Sequence, residues 1–485
     1  MTISAFTRMI AELTKLNRET EWVEFKHNNA DPEQVGEYIS ALSNSAALLG
    51  ERAGFLIWGV EDDTHNIIGT SFNPYAARIG AQELESWLIN HLTPRLDIRW
   101  HTGEINDLPI VVLEIPAARH FPVRFKDKEF IRVGSYKKRL KEYHEKERSL
   151  WAIFQNRPFE RDVAAVGLDA SEVISRLDYP TYFEKTGQLL PENRHGIVER
   201  MVQERFVLPR QDGRYDITNL GAILFAKNFG EFDRLGRKAL RVVIYHGANR
   251  VETIREKAGV KGYAIGYEGA ITFINDRLPM NEEIGQALRR EVRMYPEIAI
   301  RELVANALIH QDFTIPGVGP MVEIFSDRME ITNPGKPLID PLRFIDQPPR
   351  YRNEDLAAFM RRIHICEERG SGIDKVITAV EQHQLPPPDF KVVEDNTVVV
   401  LYSPKKLSSM DPAERIRACY QHACLCNVSN ARMTNASLRK RFGIEDKNYS
   451  TASRIIAETI KAGYVRPYDP ESGSKKTASY VPFWA

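Results

Sequence analysis

The residues best suited to chemistry lie in the stretch RELVANALIHQDF at 301–313, where Glu302 and Asn306 stand four apart and His310 and Asp312 follow. Residues four apart share a helix face, so a helix here aims a carboxylate and a carboxamide into one site, with further titratable groups just beyond its end. Downstream, residues 321–326 and 329–332 read as a hairpin that runs into Asn333-Pro334-Gly335, and Gly370-Ser371-Gly372 comes later. An acidic helix, a turn at a strand end and a glycine loop in this order suggest a nucleotide pocket. The same residues could also be a polar pair on an amphipathic helix and glycines that merely close loops, but three such features in sequence favour the pocket.

These motifs resemble the GHKL (Bergerat) ATP-binding fold in the divergent form found beside Schlafen-like AlbA_2 domains, whose members are often called RecG-like helicases or transcriptional regulators. The resemblance implies ATP with Mg²⁺ or Mn²⁺ as cofactors. Asn306 would be a ligand of the ion that bridges the ATP phosphates, since a hard cation takes oxygen donors and keeps several waters, and Glu302 would orient or deprotonate the attacking water. Asn333 occupies the position where the fold usually has an Asp that accepts the adenine amino proton. Gly370 and Gly372 would let backbone N–H groups approach the phosphates, and His310, Asp312 and Gly335 complete the expected cofactor contacts. Pro337 stands where a second glycine is usual, so binding is better supported than hydrolysis.

A second set of acids opens the chain. In ETEWVEFK at 19–26, a strand-like alternation sets Glu19 and Glu21 on one face and Trp22 and Glu24 on the other, with Lys26 at its end. A helix is expected at 32–49, then an apolar strand GFLIWGV at 54–60 that ends in Glu61-Asp62-Asp63. Carboxylates at the ends of neighbouring strands can assemble a metal site, although a surface pair and a solvated turn explain them equally simply. The VEFK strand, the helix with Ser43-Asn44-Ser45 and the GFLIWGV strand resemble the AlbA_2 domain of Schlafen proteins, some of which cleave tRNA or rRNA at a metal held by two glutamates and an aspartate. The resemblance implies Glu19 and Glu24 as metal ligands and catalytic acids, with the third ligand within Glu61-Asp62-Asp63 and Asp62 chosen among them, and Lys26 neutralising charge on a scissile phosphate.

Nucleic acid is the partner these features point to, RNA or DNA. Arg124, Lys126, Lys128, Arg132, Lys137, Lys138, Arg139 and Lys141 interleave with Phe121, Phe125, Phe130 and Tyr136, joining phosphate-binding charge to stacking surface. A charged strand-to-helix junction is the plainer alternative, because Glu142, Glu145 and Glu147 follow at once. Near the other end, helices at 413–423, 435–441 and 449–462 and strands at 463–466 and 478–481 describe a winged helix-turn-helix. Its third helix would enter a major groove, through Asn448, Ser450, Thr451, Ser453 and Arg454, with Arg439, Lys440, Arg441, Lys475 and Lys476 on phosphates.

The remaining elements must position these groups. At 485 residues, several domains are expected: an AlbA_2-like α/β domain at 1–155, a connecting region of helices and strands at 156–280, a GHKL-type α/β sandwich at 281–405 and the winged helix at 406–485, an α+β multidomain chain. Residues 259–267 read as a loop. Lys plus Arg equals Asp plus Glu at 66 each, so net charge neither favours nor excludes a polyanion. Cys366, Cys419, Cys424 and Cys426 lack paired CxxC spacing, which argues against structural zinc and disulfides. With no apolar run near bilayer length and no cleavable leader at the N-terminus, a cytoplasmic protein without membrane contact is expected. The first functional expectation is a nucleotide-controlled, metal-dependent nuclease acting in phage defence, as a homo-oligomer of at least two chains. The alternative is an ATP-sensing transcriptional regulator that binds DNA at both ends without cutting it.

Overall fold

A computed structural model describes residues 3–14, 20–62, 64–155, 158–210, 212–278, 280–284, 289–366, 370–470 and 478–485. The chain is a mixed α+β multidomain protein in two compact units, residues 1–157 with 209–214, and residues 158–208 with 215–485. Among the described residues no helix is long and apolar enough to cross a membrane.

In the first unit, strand Val23–Lys26 pairs in parallel with Ala53–Trp58, which continues antiparallel to Leu108–Pro116 and then to Arg99–Ile105. The period-two alternation of a strand divides its apolar residues between two cores. Val23, Phe25, Phe55 and Ile57 meet the helix Ile3–Thr14, whereas Leu56 and Trp58 meet the helix Pro32–Leu49. That second helix begins with Pro32 after the cap Asp31 and stops at Gly50 in the left-handed region.

The polar run in the middle of this helix is structural. Asn44 accepts from the Val123 N–H at 2.7 Å and donates to the carbonyls of Val123 and Phe130, while the Ser45 hydroxyl accepts from the Arg132 N–H. These bonds fasten the helix to a second sheet built from Lys128–Val133, Tyr136–Arg139 and two short strands.

One hydrophobic core of the second unit runs from Phe159 to Leu401. It holds a six-stranded sheet in the order Thr253–Ala258, Arg241–Tyr245, Met321–Ile324, Arg328–Pro334, Asn396–Tyr402 and Asp389–Val393, antiparallel except between Arg241–Tyr245 and Met321–Ile324. Val242, Ile244, Val322, Ile331 and Val399 alternate onto one face and meet the helices Tyr263–Asn275, Glu297–His310 and Gly372–Gln382. Residues 259–267 are therefore not the loop the sequence suggests. From Tyr263 they enter a helix, because the Tyr263 ring is buried and its hydroxyl donates to the Lys238 carbonyl at 2.6 Å.

The helices Pro412–Val428, Asn435–Phe442 and Tyr449–Lys461 close around a separate small core of Cys419, Cys424, Leu438, Ile455 and Ile456. The expected pair of strands beside them is three-stranded, since Met433–Thr434 joins Ser479–Pro482 and Val465–Pro467. Two capping boxes, Asp411 with Glu414 and Thr434 with Ser437, fix where the first two helices begin.

Candidate functional site

Helix Glu297–His310 starts after Pro296 and carries buried Leu303, Val304, Ala307 and Leu308 against the sheet. That packing turns Glu302 and Asn306 toward a cleft of about 1110 Å³, measured with its open mouth. Glu302, Asn306, His310, Asn333, Gly370 and Gly372 all line it. The glycine helix reaches closest to the acid: a Cβ added to Gly372 would lie 2.7 Å from Glu302 Oε2 and 3.9 Å from Asn306 Nδ2. Only a residue without a side chain lets the start of that helix approach the carboxylate so closely.

Opposite them, strand Arg328–Pro334 runs into Asn333, which is 5% exposed at the cleft. Its carboxamide nitrogen donates to the Pro334 carbonyl at 3.3 Å, so the oxygen is the end left to accept from a ligand. Ile331, Thr397 and Val399 extend this wall, and Phe344 and Phe390, edge to face at 5.4 Å, add an aromatic rim. The result is an apolar slot with a few convergent polar groups, the usual character of a small-molecule site.

His310 stacks on Tyr351 with centroids 5.3 Å apart. Burial, and then the nearby Arg352 charge, push its imidazole down to about 4, so at neutral pH it is an uncharged wall. Two expected contacts fall elsewhere, since neither Asp312 nor Gly335 lines the cleft. Asp312 accepts from the Thr314 N–H at 2.9 Å and approaches Arg352 at 3.7 Å, while the Gly335 N–H donates to the Asp395 carbonyl. Both carboxyl and glycine serve the turn behind the strand end. Sequence reasoning missed Phe344, Phe390, Tyr351 and Arg350, which reach the cleft from segments with no motif of their own.

Residues 338–347 have two faces. Leu338, Ile339, Phe344 and Gln347 line the cleft, yet Ile345 packs against the core of the C-terminal helices and Arg343 lies over the Trp484 ring at 4.9 Å. The Tyr420 hydroxyl donates to the Leu342 carbonyl. Glu381, on the glycine helix, accepts from His422 at 3.0 Å and pairs with Arg441 at 3.3 Å. Arg441 is 4% exposed and also donates to the Leu385 carbonyl, so it is an internal tie and not the expected phosphate contact.

In the first unit, Lys26 draws two acids together, lying 2.5 Å from Glu24 and 3.5 Å from Asp62. Glu24 is 2% exposed and its other oxygen meets Arg132, whose side chain is fully buried. Glu24 is thus the partner of two cations and Arg132 is a core residue, out of reach of a nucleic-acid phosphate. Glu19 and Asp63 lie outside the described residues, and among the described ones no group of three or more His, Cys, Asp or Glu could hold a metal ion.

The expected basic surface is also narrower. Phe125 and Phe130 are buried, leaving Phe121 and Tyr136 exposed for stacking. Arg124 pairs with Glu129 at 2.7 Å, Lys126 with Glu33, and Lys137 with Glu37 at 2.6 Å. Lys138 is exposed beside Tyr136, and Arg139 is half-buried next to it. Asn448, which precedes the last helix, and Ser450, Ser453 and Arg454 on it are exposed. Lys475 and Lys476 lie outside the described residues.

Comparison with known proteins agrees with two of the segments. Residues 19–141 match the family Schlafen, AlbA_2, and residues 317–401 match HATPase_c_4, described as "Putative ATP-dependent DNA helicase recG C-terminal". The second match begins after the helix of Glu302 and Asn306, so it is the geometry of the cleft that joins this helix to Asn333 and Gly372. Among solved structures, the DIP2311 protein of Corynebacterium diphtheriae is 16% identical, covering 99% of this chain and 96% of that one with a TM-score of 0.43. The N-terminal domain of a RecG-related protein from Nitrosomonas europaea is 21% identical, covering 25% of this chain and 79% of that one with a TM-score of 0.19. No curated protein matches the chain.

Proposed function

We propose that this protein binds ATP with Mg²⁺ in the central cleft and uses nucleotide occupancy to control how it engages nucleic acid. The observation that carries the reading is the convergence of Glu302, Asn306, Asn333 and Gly372 on one apolar slot. Asn306 and Glu302 are hard oxygen donors, and with Glu302 the one carboxylate among the described lining residues they suit an ion held mainly by phosphates and water. When bound, Mg²⁺ would neutralise phosphate charge beside Asn306. Asn333 would accept from the adenine amino group, and Glu302, fixed against Gly372, would orient a water at the phosphate end.

Control is supported by residues 338–347. A base seated against Phe344 presses on the same short segment that carries Ile345 into the core of the C-terminal helices. We read those helices and their three strands as a winged helix and the sheet with its covering helices as a GHKL-type sandwich. In that reading Arg454 on the third helix, with Lys138 and Arg139 in the AlbA_2 segment, meets nucleic acid.

Cleavage is the weaker reading. Both oxygens of Glu24 carry a cation, so a metal at this acid must first displace Lys26 or strand Arg132. Incubation with tRNA, single-stranded RNA and duplex DNA in Mg²⁺ or Mn²⁺, with and without ATP, tests the choice. Tight, salt-dependent binding that shifts with ATP and leaves the polymer intact is expected. Degradation by the parent but not by Asp62→Ala establishes a nuclease instead, as a phage-defence effector requires. The mass of the same sample with and without ATP reads the dimer that the GHKL likeness implies.

A further inference from the structure

We propose that Arg350 is the phosphate-binding cation of the central cleft and selects nucleoside triphosphates by engaging the terminal phosphate. The assignment rests on the nucleotide reading above and names the chemistry it lacks. A slot whose described lining offers the Glu302 carboxylate, the carboxamides of Asn306, Asn333 and Gln347, and aromatic walls can seat a base, but a polyphosphate also needs positive charge.

Among the described residues, three cations line the cleft, Lys336, Arg350 and Arg352. Lys336 pairs with Asp395 at 3.0 Å. Arg352 is committed to the protein: it donates to the carbonyls of His310 at 3.1 Å and Lys336 at 3.2 Å and lies 3.7 Å from Asp312. Arg350 is exposed, and among the described residues no carboxylate pairs with it. Its charge is therefore available at no cost in broken contacts.

Position supports the same end of the ligand. Pro349, its neighbour, lies so close to the glycine loop that a Cβ on Gly370 would sit 2.8 Å from the Pro349 ring. Gly370 has φ +72, so that approach depends on a glycine twice over, in space and in backbone conformation. Arg350 thus leaves the chain beside Gly370 and the first residue of helix Gly372–Gln382, whose backbone N–H groups also favour an anion. An arginine there offers a planar fork of donors matched to two phosphate oxygens.

Calorimetric titration of the full chain with Mg–ATP, Mg–ADP and adenosine, for the parent, Arg350→Ala and Arg350→Lys, tests the assignment. Arg350→Ala is expected to weaken ATP by about 10- to 100-fold, the range of a charged hydrogen-bonding contact, with a smaller loss for ADP and none for adenosine. Arg350→Lys should fall between, since it keeps charge without the fork. Equal ATP affinity in parent and Arg350→Ala overturns the assignment and leaves nucleotide binding standing. Equal losses for ATP and adenosine also overturn it, because they mark a contact to the base. A folded parent that takes up none of the three ligands removes the nucleotide reading and this assignment together.

Discussion

Replacing Glu24 with glutamine separates a structural acid from a catalytic one. The carboxylate is 2% exposed, touches Lys26 at 2.5 Å, and meets the fully buried guanidinium of Arg132. Neutralising it leaves Arg132 charged with no route to solvent, and breaking a buried pair from one side costs about 3–5 kcal/mol. For a unit of this size each kcal/mol moves the midpoint by about 2–4 °C, so Glu24→Gln should lower the melting temperature of the first unit by about 6–20 °C. Lys26 is expected to swing toward Asp62, already 3.5 Å away, and offset little of this. Replacing both partners with methionine removes both charges and should recover most of the loss, since apolar substitutes for a buried pair are often neutral. Five tryptophans (Trp22, Trp58, Trp87, Trp100 and Trp151) report on this unit, so heat and urea unfolding can follow it by fluorescence. A Glu24→Gln protein that unfolds within about 1 kcal/mol of the parent, far below the range for a broken buried pair, would show that Arg132 does not depend on Glu24. The case for Glu24 as a freely available ligand would then reopen.

Gly372→Ala should leave the fold intact yet push the Glu302 carboxylate aside, because the new Cβ would sit 2.7 Å from Oε2. If ATP is turned over, phosphate release is expected to fall by about 10- to 100-fold, as an ångström-scale misplacement does; unchanged turnover would place Glu302 outside the chemistry. His422 sets a pH dependence. Burial disfavours its charge, but Cys426 at 3.7 Å and Glu381 at 3.0 Å outweigh this and raise it from 6.5 to about 9. A raised folded-state value stabilises fully below pH 6.5 and is lost as pH climbs through about 9. The urea midpoint of the parent should therefore exceed that of His422→Ala most at pH 6 and converge with it near pH 10; a gap that is flat across this range would mean that His422 stays neutral in the fold. Phe344→Ala should weaken ATP and also loosen the C-terminal helices to proteolysis in the presence of ATP, and cleavage patterns identical to those of the parent would argue against a link through residues 338–347.

The sequence made some of this legible and concealed the rest for physical reasons. Helical spacing was enough to put Glu302 and Asn306 on one face, and a proline after Asp31 with Gly50 beyond the last turn bounded the helix Pro32–Leu49. In residues 19–60 the apolar patterns marked two strands but not the fate of their charges, and the strands Arg99–Ile105 and Leu108–Pro116 carried no such signal into the reading. Arg132 sits in a run of lysines and arginines and reads as surface, yet its neighbours Ile131 and Phe130 belong to the core and its own guanidinium is drawn inward by Glu24. Arg441 misleads in the same way, lying between exposed Lys440 and half-buried Phe442 while its side chain reaches Glu381. A cation whose partner is distant in the chain cannot be told from a solvated one by its flanking residues.

The same asymmetry supports the proposed nucleotide reading over cleavage at Glu24. An acid that a motif nominates for metal binding must accept a further cation, and at Glu24 each oxygen already faces one supplied from within its own unit, so a metal there would meet adjacent positive charge. In the cleft the balance is reversed. Its glycines keep the backbone close to a carboxylate, its carboxamides retain acceptor capacity, and Arg350 holds a charge that no described carboxylate answers. Unanswered donors and acceptors around an apolar slot are costly unless water or a ligand meets them, and a nucleoside triphosphate carries the complementary set: a flat base, an exocyclic amine and a chain of anionic oxygens. Glu24 is satisfied from within its own unit, whereas the proposed nucleotide would meet Arg350 and Asn333 in the cleft.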